Sequence, residues 1–175
     1  AITTLDRACL VNFVGETKVH TFPPFLDSGP LALAAAQRQA HRQALAAKWN
    51  LPQDRPWLLA VGMMRDGDKL ASYRRLAEVL KLARTAPWQM LIVGNGPERG
   101  TVEAAFSGIQ NCTTFLGQLG SESLNAVYAA SDIYVWPAVN EAYGMALLEA
   151  QAAGVPVLSV ATRGVPDIVR HDETG

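Results

Sequence analysis

Short apolar runs, each followed by a stretch with helical periodicity, recur along most of this chain, and that alternation restricts the fold more than any other feature. Candidate strands are VHTF (19–22), WLLAVGM (57–63), QMLIVG (89–94), TTFLG (113–117), DIYVWP (132–137) and VPVLSV (155–160). Most are apolar on both faces, as strands between two helix layers are. Candidate helices fill the intervals at 31–49 (Ala-rich, closed by Asn50), 70–85, 98–106, 121–130, 144–153 and about 165–170. Ser121 is the expected cap of the 121–130 helix, with Leu124 and Tyr128 in its buried stripe, and Gly154-Val155-Pro156 stops the 144–153 helix. This β/α alternation predicts a doubly wound, mostly parallel, Rossmann-like sheet with helices on both faces and right-handed crossovers. Ligands bind such sheets beyond the carboxyl ends of the strands. The loops after Gly62, Gly94, Gly117 and Pro137 are therefore where a site is expected.

A chain of 175 residues that is 49% hydrophobic and 18% charged can bury the core such a domain needs. The turn-rich segment PPFLDSGP (23–30) reads as a connection, giving a lead-in strand and interdomain link over 1–30 and a nucleotide-binding domain over 31–175. The opening without Met and the ending at HDETG, directly after a helix-like segment, read as a domain excised from a longer protein. A formal charge of −1 excludes global attraction to nucleic acid or anionic membranes. Cys9 and Cys112 fit no metal-binding spacing and read as buried thiols of a reducing compartment. No signal peptide opens the chain, and no apolar stretch approaches the roughly 18–20 residues of a membrane span, so a cytoplasmic location is expected.

Three stretches carry chemistry. GNGPERG (94–100) is a glycine-rich turn after a strand, but Arg99 stands where a dinucleotide fingerprint needs its third glycine, and no acid follows in TTFLGQLG. It reads either as a tight turn into a helix or as a loop lining a nucleotide pocket. RDGDKL (65–70) contains an Asp-x-Asp pair, yet Arg65 and Lys69 flank it and compete with any metal, so turn-forming aspartates are the simpler account and no metal is expected. Arg65 and Lys69 themselves are either a solvated turn or a clamp that neutralises a diphosphate.

The third stretch is NEAYGMALLEA (140–150), where Glu141 and Glu149 bracket seven uncharged residues. A helix apolar on all sides belongs in a core, and an unpartnered carboxylate there costs several kcal/mol. Helical side chains lean toward the N-terminus, so Glu149 can point back at the helix mouth that Glu141 precedes. Free amides at Ala142, Tyr143, Gly144 and Met145 suit a phosphate. Carboxylates would repel that phosphate but accept hydrogen bonds from hydroxyls on either side of it, which describes a nucleotide-sugar. The alternative is a helix-capping Glu141 with Glu149 bound to backbone amides, and spacing does not separate the two.

From about Pro56 to Gly175 the sequence PWLLAVGMMR, DK, MLIVGNGPERG, TTFLGQLGSESLNAVYAASDIYVWPAVNEAYGMALLEAQAAGVPVLSVATRGVPDIVRHDETG resembles the C-terminal, donor-binding domain of family 4 retaining glycosyltransferases of GT-B fold. PPFLD (23–27) resembles the segment entering that domain. The resemblance implies sugar transfer from a nucleoside diphosphate sugar, with no metal or other cofactor. Glu141 would contact donor-sugar hydroxyls and Glu149 the ribose. Amides of Ala142, Tyr143, Gly144 and Met145 would hold sugar or phosphate, and Leu116, Gly117 and Gln118 would lie near the base. Gly62, Gly94 and Asn95 complete the donor-binding set, and Arg65 and Lys69 join Glu141 as catalytic candidates. The acceptor, a sugar, lipid or glycan, would sit on an N-terminal domain, and the full-length enzyme has room for peripheral membrane association. The family's usual arginine after Gly62 is Met63 here, with Arg65 nearby and Lys69 displaced by one position. Ala142 and Tyr143 replace a glycine and a phenylalanine. Two rival readings are a GT-B nucleotide-sugar 2-epimerase and a noncatalytic GT-B half serving in protein contacts, the latter favoured by Met63.

Overall fold

Five strands, β1 (Trp57–Val61), β2 (Gln89–Val93), β3 (Thr113–Gly117), β4 (Ile133–Trp136) and β5 (Val157–Ser159), form the centre of the computed structural model, which describes residues 1–175. They lie in the order β3-β2-β1-β4-β5, with every neighbouring pair parallel. β2 is buried along its whole length, which is why QMLIV carries no polar alternation. The helices are α1 (Thr4–Val14), α2 (Gly29–Ala36), α3 (Arg38–Trp49), α4 (Asp68–Leu82), α5 (Arg99–Ala105), α6 (Ser121–Ala130) and α7 (Met145–Ala152). α4 packs on α5, while α6 packs on α2 and α3, and α2 on α7, so helices cover both faces of the sheet. The core runs through the sheet, with Trp57, Leu59, Met90, Leu91, Ile92 and Tyr134 buried among it. No helix is long and apolar enough to cross a membrane.

Asp132, at the amino end of β4, is the knot of the opposite side. Its carboxylate accepts the Trp57 N–H at 2.7 Å and an Arg42 guanidinium nitrogen at 2.9 Å, and it pairs with Arg38 as well. Arg38 and Arg42 also donate to the carbonyls of Ala129, Ala130 and Ser131, and Arg42 lies 4.2 Å from the Trp57 ring centre. These bonds tie α3 to the α6–β4 junction and to β1.

The structure corrects several expectations. The segment 19–22 is not a strand: His20, Thr21 and Phe22 are exposed and no sheet edge lies beside them to supply a ladder. A helix, α1, precedes it instead, capped by the Thr3 hydroxyl, which accepts the Asp6 N–H at 3.1 Å. The expected 31–49 helix breaks at Gln37, where φ −107° and ψ 19° leave the helical range, and the contacts of Arg38 and Arg42 hold the second half in its own direction. Asn50 closes it in the left-handed conformation. Only a single turn, Val165–Asp167, forms within 165–170, because Pro166 and the hydrogen bonds of the 170–175 turn leave no room for more. Ser121 is the first residue of α6 rather than its cap; Gly120 holds the cap position and the Ser121 side chain makes no capping bond. Cys9 is exposed and Cys112 half-buried, so neither is a sealed core thiol; α1 has no buried face to receive Cys9.

Asp132→Ala should leave the Trp57 N–H and the half-buried Arg42 without their acceptor and cost about 3 kcal/mol. Urea unfolding followed by tryptophan fluorescence measures this, and an unchanged midpoint would remove Asp132 from its anchoring role.

Candidate functional site

The carboxyl ends of β1 and β2 continue as a bare backbone floor. Gly62 N–H donates to Val93 O at 3.0 Å, Gly94 N–H to Gly117 O at 2.8 Å, and Met64 N–H to Asn95 O at 3.0 Å. The chains approach so closely that a Cβ on Gly94 would lie 1.9 Å from Gly62 O, and one on Gly96 2.3 Å from Met64 O. That packing accounts for Gly94 and Gly96 of GNGPERG, both with positive φ. Above the floor lies a cavity of about 540 Å³.

α7 forms the opposite wall. Gly144 starts it in the left-handed conformation (φ 78°), and a Cβ there would lie 2.7 Å from Leu147 Cδ1. No side chain caps the helix. The amides of Tyr143, Gly144, Met145 and Ala146 have no acceptor within the protein, so four N–H groups stand open at its positive end. Glu141 and Glu149 both line the cavity beside them.

Each glutamate is held by side chains from other elements, not by amides. Glu141 Oε2 accepts from Lys69 Nζ at 2.6 Å and from Trp136 Nε1 at 3.2 Å, and the same ammonium lies 5.2 Å from the Trp136 ring centre. Glu149 Oε2 accepts from the Tyr128 hydroxyl at 2.8 Å. In both residues Oε1 has no protein partner. The capping alternative is therefore not what the chain adopts. Trp136 is set edge-on to Tyr73, ring centres 5.0 Å apart, and the Tyr73 and Tyr134 hydroxyls donate to Gly62 O and Val61 O. Loss of solvent pushes the Tyr73, Tyr128 and Tyr134 phenols above their ordinary range. For Tyr128 the neighbouring Tyr134 and the Glu149 carboxylate add to the shift. All three remain hydrogen-bond donors at any working pH.

The remaining expected residues divide. Gly62, Lys69, Gly94 and Asn95 line the main cavity, as do Gln118, Gly144 and Met145. Arg65 and Ala142 open instead on an adjoining polar cavity of about 310 Å³ that shares Lys69 and Glu141 with the first. Lys69 thus lines both spaces, whereas Arg65 lines only the smaller one. Leu116 is buried in the core, Gly117 serves as the carbonyl partner of Gly94, and Tyr143 lines neither cavity. Asp68 accepts from Asn140 Nδ2 at 2.7 Å, so one carboxylate of the Asp-x-Asp pair is already engaged. Met63 lines the main cavity and is 61% exposed.

Sequence reasoning missed Trp136 and the hydroxyl of Tyr128, the two partners that fix the glutamates, and it missed Leu119 and Leu124 in the cavity wall. Trp136 had a signal, a polar-tipped aromatic at the end of a strand opposite an acidic loop. Tyr128 had none, since its helical spacing is that of core.

Residues 55–175 match the model of the family described as glycosyl transferases group 1. The D-inositol 3-phosphate glycosyltransferase of Nocardia farcinica is 33% identical over 188 aligned positions, covering 100% of this chain and 40% of that protein. The sulfoquinovosyl transferase SQD2 of Arabidopsis thaliana is 30% identical over 122 positions, covering 70% of this chain and 22% of that protein. Among solved structures, a glycosyltransferase from Rickettsia africae superposes with a TM-score of 0.81 at 17% identity, over 98% of this chain and 46% of that one. The chain thus spans from about a fifth to two-fifths of these curated relatives.

The buried phenols fix an alkaline limit. Below about pH 10 both folded and unfolded chains keep the protons; above it the unfolded chain sheds them while the folded chain resists, so stability falls as pH rises. Thermal midpoints should drop steadily between pH 9.5 and 11.5, and Tyr134→Phe should blunt the drop. A flat profile over that interval would contradict the burial of these hydroxyls.

Proposed function

The chain belongs to the group 1 glycosyl transferases, and from that premise we propose that it is the donor-binding part of a retaining enzyme that moves a sugar from a nucleoside diphosphate sugar to an acceptor. The observation that carries the reading is the cavity wall, where two carboxylates, each with a free oxygen, flank four unsatisfied amides at a helix start. The amides and Lys69 suit a diphosphate, since both neutralise charge that builds on the leaving group. Glu149 Oε1, beside them, suits the ribose hydroxyls, with the Tyr128 hydroxyl fixing its other oxygen. Glu141, ahead of the helix, suits hydroxyls of the transferred sugar. The apolar flank at Leu119 and Leu124, with Gln118 beside it, is a suitable seat for the base.

Lys69 has two claims on it. In the free chain it pairs with Glu141; an entering diphosphate competes for the same ammonium and leaves Glu141 free to accept from the sugar. This reading needs no metal, because cations and amides of the chain supply the stabilisation. Retention of anomeric configuration is what the family resemblance implies. The acceptor site is assigned to the part of the relatives' length that this chain does not match, and the chain by itself binds donor without turning it over.

Calorimetry with UDP-, GDP- and ADP-sugars tests the reading on the purified chain. One nucleotide series should bind. Glu149→Gln should weaken free nucleotide and nucleotide-sugar alike by about tenfold, whereas Glu141→Gln should spare the free nucleotide and weaken only its sugar conjugates. A folded chain that binds none of them sinks the proposal. Equal loss of free nucleotide in both variants would remove the division of roles. Sugar transfer by the 175-residue chain alone would show that it is more than the donor-binding part.

A further inference from the structure

The adjoining cavity, about 310 Å³, is not absorbed by the donor reading. It touches the main cavity only through Lys69 and Glu141, and its outer walls are Arg65, Asp68, Asn140 and Arg163. Its charges are unevenly matched. Glu141 pairs with Lys69, and Asp68 accepts from the Asn140 amide. Arg65 and Arg163 have no carboxylate partner. Two guanidinium groups therefore converge on one concave space from different loops, one following β1 and one following β5.

Arg163 is set in place rather than left to solvent. Its Nε donates to Asn140 Oδ1, and Asn140 is itself fixed by Asp68, so the two terminal nitrogens remain free as a fork. The next residue locks its loop to the Glu141 loop. Gly164 N–H donates to Glu141 O at 3.3 Å, and a Cβ on Gly164 would lie 2.1 Å from Ala142 O. Arg163 also has φ +45°, a left-handed conformation that glycine adopts more readily than any branched residue. An arginine held there against its backbone preference, oriented by a two-step side-chain relay, is built for what its fork meets.

We propose that Arg65 and Arg163 form an oxyanion subsite beside Glu141, which reads an acidic group on the substrate next to the sugar being transferred. The proposal rests on the assignment of Glu141 to that sugar. A planar fork suits the two coplanar oxygens of a carboxylate, or two oxygens of a sulfonate or phosphate ester. The acid comes either from the transferred sugar itself, as in a hexuronate, or from the acceptor, as a phosphate ester. Both guanidinium groups are exposed, so the contribution is sensitive to salt.

Low-salt calorimetry on the purified chain distinguishes the cases. The probes are the nucleoside diphosphate that binds best, its glucose conjugate, its glucuronate conjugate, and glycerol 3-phosphate titrated into the chain saturated with the glucose conjugate, with glycerol as control. One acidic probe should bind about tenfold more tightly than its neutral counterpart. A gain with the glucuronate conjugate places the acid on the donor; a gain with glycerol 3-phosphate places it on the acceptor. Arg163→Gly should remove that gain and leave the free nucleoside diphosphate within about twofold, and glycine suits the backbone there, so the fold is not at risk. Arg65→Gln should reproduce the loss of preference. No gain with either acid overturns the subsite and leaves the donor reading intact. Loss of free nucleoside diphosphate binding in Arg163→Gly also overturns it, by giving both cations to the diphosphate. Absence of all nucleotide binding by the folded chain overturns the donor reading and the subsite together.

Discussion

Five parallel strands in the order β3-β2-β1-β4-β5 make the chain travel outward from β1 in one direction, return past it, and travel outward from β4 in the other. With right-handed crossovers, the helices of the two halves must lie on opposite faces of the sheet. The packing follows: α4 with α5 on one side, and α6 and α7 with α2 and α3 on the other. The connections leaving β1 and β4 therefore diverge, and no loop closes the gap between their carboxyl ends. Every element of the site occupies that gap. The β1 exit gives the floor and Lys69, the β4 exit gives Trp136 and Glu141, and α7 gives the amides and Glu149.

Within the gap the chain solves two opposed problems. Backbone floors require the absence of side chains, which Gly94 and Gly96 provide by letting the second loop lie directly on the carbonyls of Gly62 and Met64. Carboxylates in an apolar wall require partners, since an unsatisfied one costs several kcal/mol. Using helix amides as those partners would have closed the end of α7. Lys69, Trp136 and Tyr128 serve instead, each reaching in from another element, and each satisfies only one carboxylate oxygen. The helix start and the second oxygens stay available because the tertiary structure, not the helix, holds the acids.

This division also explains what could be read from the sequence. Strand positions were legible at all five strands, most plainly at β2, where burial along the whole length leaves an apolar run, while the edge strands β3 and β5 are only partly buried. The same signal misled at 19–22, since an apolar run cannot report whether a sheet edge lies beside it. Glu149 stood out as a charge in an apolar helix and Glu141 as a second one just ahead of it, a local property. Their partners lie up to 72 positions away for Lys69 and Glu141, and nothing local marks such a contact. Arg65 was paired with Lys69 because the two are near in sequence; Lys69, within α4, lines both cavities, whereas Arg65, ahead of α4, lines only the smaller one. Arg163 was passed over inside ATRGVPD, where its backbone angle and its contact with Asn140 are products of the fold alone.

The Lys69–Glu141 pair shows why neither of these groups can be understood singly. At 2.6 Å, with side chains 22% and 14% exposed, their attraction at an effective dielectric near 20 is about 6 kcal/mol before desolvation is counted. Desolvation offsets much of that, as it does for ion pairs generally, so the net contribution to folding is small. Its larger effect is on the occupants of the two cavities. Removing Lys69 would strand Glu141 in a half-buried wall, and removing Glu141 would leave an unpaired ammonium against the Trp136 ring. On the proposed donor reading, an anion arriving beside Lys69 competes for its ammonium and leaves Glu141 to accept from hydroxyls. Lys69 and Glu141 line both cavities, so on the proposed donor reading this one ion pair couples a diphosphate in the first to an acid in the second.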